Sequence, residues 1–348
     1  MPPFVSVVVL NWDGKHFLEG CLGSLARQTY PDFEVILVDN GSRDGSVEYV
    51  QECYPGVRVI ALGTNTGFCV GNNHGIRAAR GDAIALLNND TEVVPGWLAA
   101  QVEALEASPS AGSVASQMVF FDRRDLLDTA GNLFSTAGKG DKIGHREPAV
   151  RYDARREVFG FCAGACLIRR EVLDDVGLLD EDFSPIYYED VDLNFRAQLA
   201  GYRCVYEPGA IVYHRVSAAF GARSDYWYYL SNRNLEYVYV KNMPAPLFWR
   251  YGVEHLAYDA LGLVYHAYRG HGRAVARAKR DALRSLPKMI AKRRDIQARR
   301  RVPAARIEAI LDCGWHVDNI GRTGLAEWQR ARRWVGGRLG FGPAGGTG

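Results

Sequence analysis

Asp39, Asp90, Glu189, Asp190 and His214 are the side chains through which this sequence could do chemistry. Asp90 follows the apolar run Ile84-Ala85-Leu86-Leu87 and the pair Asn88-Asn89. A carboxylate delivered at the end of a buried strand can hold a divalent cation, and the cation can hold a diphosphate. Asn-Asn-Asp-Thr is also ordinary turn chemistry, with an N-cap for a helix beginning near Pro95, and the residues leave both readings open. Asp39 closes the run Phe33 to Val38 in the same manner. Its carboxylate can accept the N3–H of uracil or thymine, a donor that cytosine and adenine lack at that edge, or it can fold back as an Asx turn before Gly41. Glu189-Asp190-Val191-Asp192 opens a helical pattern in which Val191, Phe195 and Leu199 form the buried stripe and Asp192 can pair with Arg196. Acids at a helix start complement its dipole. Three of them exceed what capping requires, and a general base facing a cleft accounts for them equally well. His214 ends the run Ala210-Ile211-Val212-Tyr213. Beside such acids it is a metal-ligand candidate; elsewhere it would be a structural histidine.

The elements that must deliver these groups alternate. Phe4 to Leu10, Phe33 to Val38 and Val57 to Ile60 are β-branched runs; between them lie helical patterns through Leu18, Cys21, Leu22 and Leu25 and from Ser46 to Val50. Strand–helix alternation at this spacing predicts a parallel, doubly wound sheet, whose ligands bind outside the carboxyl ends of its strands. No Gly-x-Gly-x-x-Gly follows the first strand, which argues against a dinucleotide-binding dehydrogenase. The first strand stops at the loop Asn11-Trp12-Asp13-Gly14, and the Gly- and Asn-rich stretch Thr64 to Asn73 offers free backbone N–H groups and close approach to a ligand. Residues 122–157 are polar, Gly-rich and without period, and predict a mobile flap. Phe159 to Arg169 reads as one strand, and Cys204 to Tyr206 and Ala210 to Tyr213 as two more.

The composition is that of an ordinary globular chain: 348 residues, 47% hydrophobic, with a formal charge of +2. The charge is uneven. Arg269 to Arg301 holds thirteen Lys and Arg against Asp281 and Asp295, a local +11, so the remainder carries −9. Aromatic and aliphatic residues, Leu247, Phe248, Trp249, Tyr251, Tyr258, Leu261, Leu263, Val264, Tyr265 and Tyr268 among them, precede this stretch. Such a segment suits either an interface with anionic lipid headgroups or a helical cap with a solvated basic face. Nucleic-acid binding explains the charge less well, because no nucleic-acid motif accompanies it. No apolar run is long enough to span a bilayer, and no signal peptide is expected. The seven cysteines form no Cys-x-x-Cys pair, which fits a reducing cytoplasm.

Several of these stretches occur together and in order: Ser6 to Trp12, Val38-Asp39-Asn40-Gly41-Ser42-x-Asp44-Gly45-Ser46, Asn65-x-Gly67-Phe68, Leu87-Asn88-Asn89-Asp90, Phe183, Glu189-Asp190-x-Asp192-Leu193-x-x-Arg196, Gly201-Tyr202 and His214. The set resembles the family 2 inverting glycosyltransferases of GT-A fold, in particular the bacterial rhamnosyltransferase-like branch. The resemblance covers about residues 4–242 and includes Arg233-Asn234. It implies an α/β GT-A architecture, a Rossmann-like and mostly parallel sheet, with residues 1–242 as catalytic domain and 243–348 as a helical, basic extension.

It also implies roles. Asp190 would be the catalytic base, with Glu189 beside it. Asn11, Asp39, Asn65, Gly67, Asn72, Asn89 and Arg233 would bind a nucleotide-sugar donor, Asp39 through the pyrimidine. Asp90 and His214 would hold Mg²⁺ or Mn²⁺. Asn88 stands where many relatives carry the first Asp of the metal motif, which leaves less charge on the cation. Gln329-x-x-x-Arg333-Trp334 has one residue more than the Gln-x-x-Arg-Trp of processive relatives, which implies addition of one or a few sugars. The donor expected is dTDP-L-rhamnose, or else a UDP-hexose or UDP-N-acetylhexosamine. The acceptor expected is a cell-envelope glycan or a polyprenyl-linked one. A catalytically silent, sugar-nucleotide-binding scaffold is the competing reading. A cytoplasmic location, with peripheral attachment to the inner face of the membrane, would follow.

Overall fold

The computed structural model describes residues 2–216 and 224–314; the Gln329, Arg333 and Trp334 set lies outside them. In chain order the first half runs β1 (Val5–Asn11), α1 (Lys15–Ala26), β2 (Phe33–Asp39), α2 (Ser46–Cys53), β3 (Arg58–Ala61), α3 (Phe68–Ala78), β4 (Ala83–Asn88), β5 (Thr91–Val93), α4 (Trp97–Glu106) and β6 (Ala111–Phe120). The second half continues β7 (Leu127–Thr129), β8 (Asn132–Phe134), β9 (Gly140–Lys142), β10 (Arg156–Val158), β11 (Ala165–Arg169), α5 (Arg170–Val176), α6 (Glu189–Ala200), β12 (Arg203–His214) and the helices α7 (Asp225–Asn242), α8 (Ala245–Tyr268), α9 (Gly272–Arg284), α10 (Leu286–Ala298) and α11 (Ala304–Glu308).

β1 is the axis of the sheet because its valines are buried on both faces. Val8 packs with Ile36, Val38, Ile84 and Leu86 on one face, while Val5, Val7 and Val9 pack with Leu37, Ala85 and Leu87 on the other. This is the period of two that a strand imposes. α1 and α4 cover the second face; α3, α5 and α6 cover the first. The strand order is β10-β12-β6-β11-β4-β1-β2-β3. β1 is parallel to both β2 and β4, and β6 is parallel to β12; β11 runs antiparallel between β4 and β6. The sheet is therefore mixed but mostly parallel, the GT-A arrangement the sequence predicts.

Register decides where the functional groups go. Asn11 is level with Asp39 on β2, and Leu10 is level with Asn88 on β4, so three strands end together. After a turn at Asn89 and Asp90, β5 pairs with the end of β12 and sets Thr91 against His214.

Four local expectations change. Residues 122–157 are not a free flap: β7 pairs with β6, β10 pairs with β12, and Leu127 to Asn132 are all buried. Only Ala165–Arg169 of the 159–169 stretch is strand. The two short strands around 204 and 212 are a single strand with a register shift between Glu207 and Ile211. Finally, α6 is buried on every side rather than along one stripe. Its polar face is covered from the C-terminal helices, where Lys241 and Asn242 both reach Asp192 Oδ1 at 2.8 Å.

The basic segment also proves to be partly internal. Lys292 contacts Asp180 and Asp182 at 2.6 Å, Lys288 pairs with Asp182, Arg301 pairs with Asp175 at 2.7 Å, and Arg306 pairs with Glu157. The acidic body and the basic tail segment neutralise each other across this contact, and Met1–Cys313 form one compact unit. Among the described residues, no helix is long and apolar enough to cross a membrane.

Candidate active site

At the common end of β1, β2 and β4, Asn11 ties the strands together. Its Nδ2 donates to Asp39 Oδ1 and Ser42 Oγ, both at 3.2 Å, and its Oδ1 accepts from Asn89 Nδ2 at 2.8 Å. Asp39 Oδ2 accepts from the Ser42 N–H at 3.0 Å, which is the Asx turn. Each carboxylate oxygen keeps a second lone pair, so the turn leaves room for a further donor. Next to this group, Asn40 Nδ2 donates to Asn65 Oδ1 and to the Gly67 carbonyl. Gly67 has φ +85°, and a Cβ there would lie 3.0 Å from Pro185 Cα. Only glycine lets the start of α3 dock on this loop, where the Phe68 N–H reaches the Pro185 carbonyl at 2.7 Å. Asn72 bonds back to Phe68 of its own helix.

Asp90 and His214 meet as the β5–β12 pairing requires: His214 Nε2 lies 3.4 Å from Asp90 Oδ1. On its other side, His214 Nδ1 is 2.8 Å from Oδ2 of Asp128, a fully buried carboxylate. Burial opposes charge on the imidazole, but the two acids outweigh it and push its pKa up to about 9. Asp128 is in turn held by Lys142 Nζ at 2.6 Å and by His145 Nδ1 at 3.4 Å. Burial alone would raise its pKa; Lys142, His145 and His214 hold it well below the carboxylate range instead.

Asp190 is the second residue of α6, which follows two tyrosines in left-handed backbone, Tyr187 at φ 84° and Tyr188 at φ 69°. This conformation costs a non-glycine residue about 1–3 kcal/mol. The fully buried Asn234 of α7 holds the loop, its Nδ2 reaching the carbonyls of Phe183, Ile186 and Tyr187 at 3.2, 3.2 and 2.7 Å. Asp190 Oδ2 accepts from Asn132 Nδ2 at 2.9 Å and from the Ala163 N–H at 3.2 Å. Burial raises its pKa against these donors. Glu189 differs. It is 5% exposed, its Oε2 is buried without a hydrogen bond, and burial together with the Asp190 charge pushes its pKa up to about 8. Glu189 is thus a neutral acid at pH 7, and Asp190 is the half-buried carboxylate of the pair.

Arg233 is anchored on the loop before α6: its Nη2 donates to the carbonyls of Asp182 and Ser184, and its guanidinium lies over Tyr229 and Tyr237. A separate cluster, Glu236, His255 and Asp259, has metal-ligand chemistry, but Lys279 Nζ sits 2.5 and 2.6 Å from its two acids and supplies the charge. It joins α7, α8 and α9. Asp128, Asn132, Lys142 and His145 escape the sequence reading because they sit on strands of three residues or in the turns beside them, too short to show a period.

The site thus combines a carboxylate oxygen and an imidazole nitrogen at Asp90 and His214, a buried carboxylate at the end of β2 and a fixed carboxylate on α6. The family model for Glycosyl transferase family 2 matches residues 6–177. An N-acetylglucosaminyl-diphospho-decaprenol L-rhamnosyltransferase of Mycobacterium tuberculosis is 30% identical over 252 residues, covering 64% of this chain and 79% of that protein. An uncharacterized protein of Sinorhizobium fredii is 32% identical over 231 residues and 63% of this chain; the match spans only a quarter (25%) of its length. Among solved structures, a mannosyltransferase of Pyrobaculum calidifontis in complex with GDP-Man and Mn²⁺ superposes with a TM-score of 0.52 at 18% identity, covering 86% of each chain.

Proposed function

This chain belongs to glycosyl transferase family 2, and from that membership we propose an inverting, non-processive, metal-dependent transfer of L-rhamnose from dTDP-L-rhamnose to a cell-envelope glycan or its lipid-linked precursor. The observation that supports the proposal is that one buried stretch holds both sides of the site, Asp128 bonding His214 of the Asp90–His214 pair and Asn132 bonding Asp190, while Asp39 ends the neighbouring strand β2. The name of the Mycobacterium tuberculosis relative supports both the sugar and a diphospho-polyprenyl acceptor. A UDP-hexose or UDP-N-acetylhexosamine donor is the second reading, and Asp39 accommodates it equally, since uracil and thymine offer a carboxylate the same N3–H.

In this reading Asp39 takes the pyrimidine, while Asn11 and Asn89 hold Asp39 and the β4–β5 turn in place. Asn65, Gly67 and Asn72 line the start of α3 on the nucleoside side. Arg233, fixed on the loop before α6, adds positive charge for the diphosphate. Asp90 and His214 would hold Mg²⁺ or Mn²⁺, the carboxylate oxygen suiting either cation. When bound, the cation neutralises charge on the departing diphosphate. Asp190, with Oδ2 fixed by Asn132 and Ala163, receives the proton of the acceptor hydroxyl as that oxygen bonds to the anomeric carbon. The bond to the nucleoside diphosphate breaks on the opposite face, and one displacement inverts the centre. Glu189, neutral beside it, leaves Asp190 as the charged member of this adjacent pair, while Asp192 is neutralised by Lys241 and Arg196.

We assign catalysis to residues 1–242 and attachment near the acceptor to residues 243–348, at the cytoplasmic face of the membrane. Asp190→Asn should lower kcat about 10²- to 10⁴-fold while the donor still raises the melting temperature, because a ligand specific to the folded state must do so. Normal turnover in that variant would remove Asp190 from the mechanism. The same thermal shift, run with dTDP-rhamnose, UDP-glucose, UDP-galactose and UDP-N-acetylglucosamine with and without Mn²⁺, separates the donors.

A further inference from the structure

We propose that Asp128 is a positioning residue: it fixes the tautomer and plane of His214 so that Nε2 faces the cation site beside Asp90. The inference rests on the metal-dependent reading above. It concerns a side chain on a three-residue strand that carries no motif.

The geometry is directional. Asp128 Oδ2 lies 2.8 Å from His214 Nδ1, and the carboxylate is fully buried. An ionised carboxylate can only accept, so a proton sits on Nδ1 whatever the charge of the ring, and Nε2 is the nitrogen left to give up its proton when a cation binds. Nε2 is the atom 3.4 Å from Asp90 Oδ1. A histidine that binds metal through one nitrogen is held in this way by a carboxylate on the other. Asp128 is itself immobilised from two further directions: Lys142 Nζ meets Oδ1 at 2.6 Å, and His145 Nδ1 lies 2.9 Å from its backbone carbonyl. A buried acid needed only for charge balance would be satisfied by Lys142. The additional bond to His214 links it to the edge where the strands end.

The same short segment reaches the other half of the site. Four residues after Asp128, Asn132 donates to Asp190 Oδ2 at 2.9 Å. One stretch of chain thus sets both the cation side and the base side, which explains why residues 127–132 are buried where a polar loop was expected.

The test is Mn²⁺ affinity of the full-length protein with UDP or dTDP present, read as free Mn²⁺ by electron paramagnetic resonance, with no turnover involved. Asp128→Asn keeps the shape but loses the acceptor pair that selects Nδ1–H. It should weaken Mn²⁺ binding about 10- to 100-fold, the usual effect of removing such a partner. His214→Ala and the double variant complete a cycle. If Asp128 acts through His214, Asp128→Asn has no further effect in the His214→Ala background. Equal losses in both backgrounds would mean that Asp128 acts only by its charge at a distance, and the proposal fails. Wild-type Mn²⁺ affinity in a folded Asp128→Asn protein also overturns it. Should Asp128→Asn not fold, Asp128→Glu is measured in both backgrounds: a lengthened carboxylate must shift the ring, and unchanged affinity overturns the proposal. If the wild-type protein itself takes up no Mn²⁺ with nucleotide present, the metal-dependent reading falls and this inference with it.

Discussion

Glu189 and Asp190 are chain neighbours with different electrostatics, and the difference is measurable. Glu189 keeps its proton in the folded protein up to about pH 8, whereas in the unfolded chain it loses it near its ordinary value of 4.5. Between these values the folded state binds the extra proton, so stability must fall as pH rises through this window and level off above it. Glu189→Gln mimics the protonated acid and cannot titrate. The melting temperature of the wild type should therefore drop relative to Glu189→Gln from about pH 5 to pH 8; parallel curves would show that Glu189 is already ionised in the fold. Asp39, Asp90 and His214 were legible as candidates because each ends an apolar run, and a strand end in an α/β sheet is where ligands sit. That Asp190 and not Glu189 is the partly exposed member was not legible, since it depends on how α6 is rotated and covered.

At the scale of elements, the loop into α6 stores strain that α7 must hold. Tyr187 and Tyr188 are both left-handed, and Asn234 bridges three of the carbonyls around them. Asn234→Ala leaves these carbonyls without their donor, at a cost of about 1–3 kcal/mol. Because the loop leads directly into Asp190, kcat should fall on the order of 10-fold, the equivalent of about 1.4 kcal/mol in the barrier, with a smaller change in KM. A destabilised variant with unchanged kcat would mean that the loop conformation is set elsewhere. The parallel core was legible from its β-branched runs and their spacing. The β7–β9 segment was not, because Asp128, Asn132 and Lys142 lie on strands too short to show a period. Neither was the burial of α6: its covering residues, Lys241 and Asn242, come some fifty positions after Asp192, and helical periodicity reports only one face at a time.

For the whole molecule the open surface is α8. Only Leu247 and His255 of its 24 residues are buried. His255 faces inward to Ala137 and Glu236. Trp249, Val253, Leu256, Val264 and Tyr268, which are 78, 80, 67, 68 and 88% exposed, recur at helical spacing along another side. The basic count of the tail overstates what a surface could feel, since Lys288, Lys292, Arg301 and Arg306 are taken up by acids of the body. On α9, next to α8 in the chain, Arg277, Arg280 and Arg284 remain largely exposed beside Asp281. An apolar helix face with exposed arginines near it fits a bilayer surface with anionic headgroups, where each such cation contributes about 1 kcal/mol. The protein should therefore sediment with vesicles of phosphatidylglycerol and phosphatidylcholine, less with phosphatidylcholine alone, and less at high salt. Trp249→Glu with Val253→Glu should abolish sedimentation without lowering the melting temperature, because neither side chain is part of the core. A wild-type protein that ignores vesicles but is a dimer split by these substitutions would assign the face to a second copy of the chain. Turnover on a water-soluble acceptor should survive the double variant, while turnover on a lipid-linked acceptor in vesicles falls, which separates delivery to the membrane from the chemistry at Asp190.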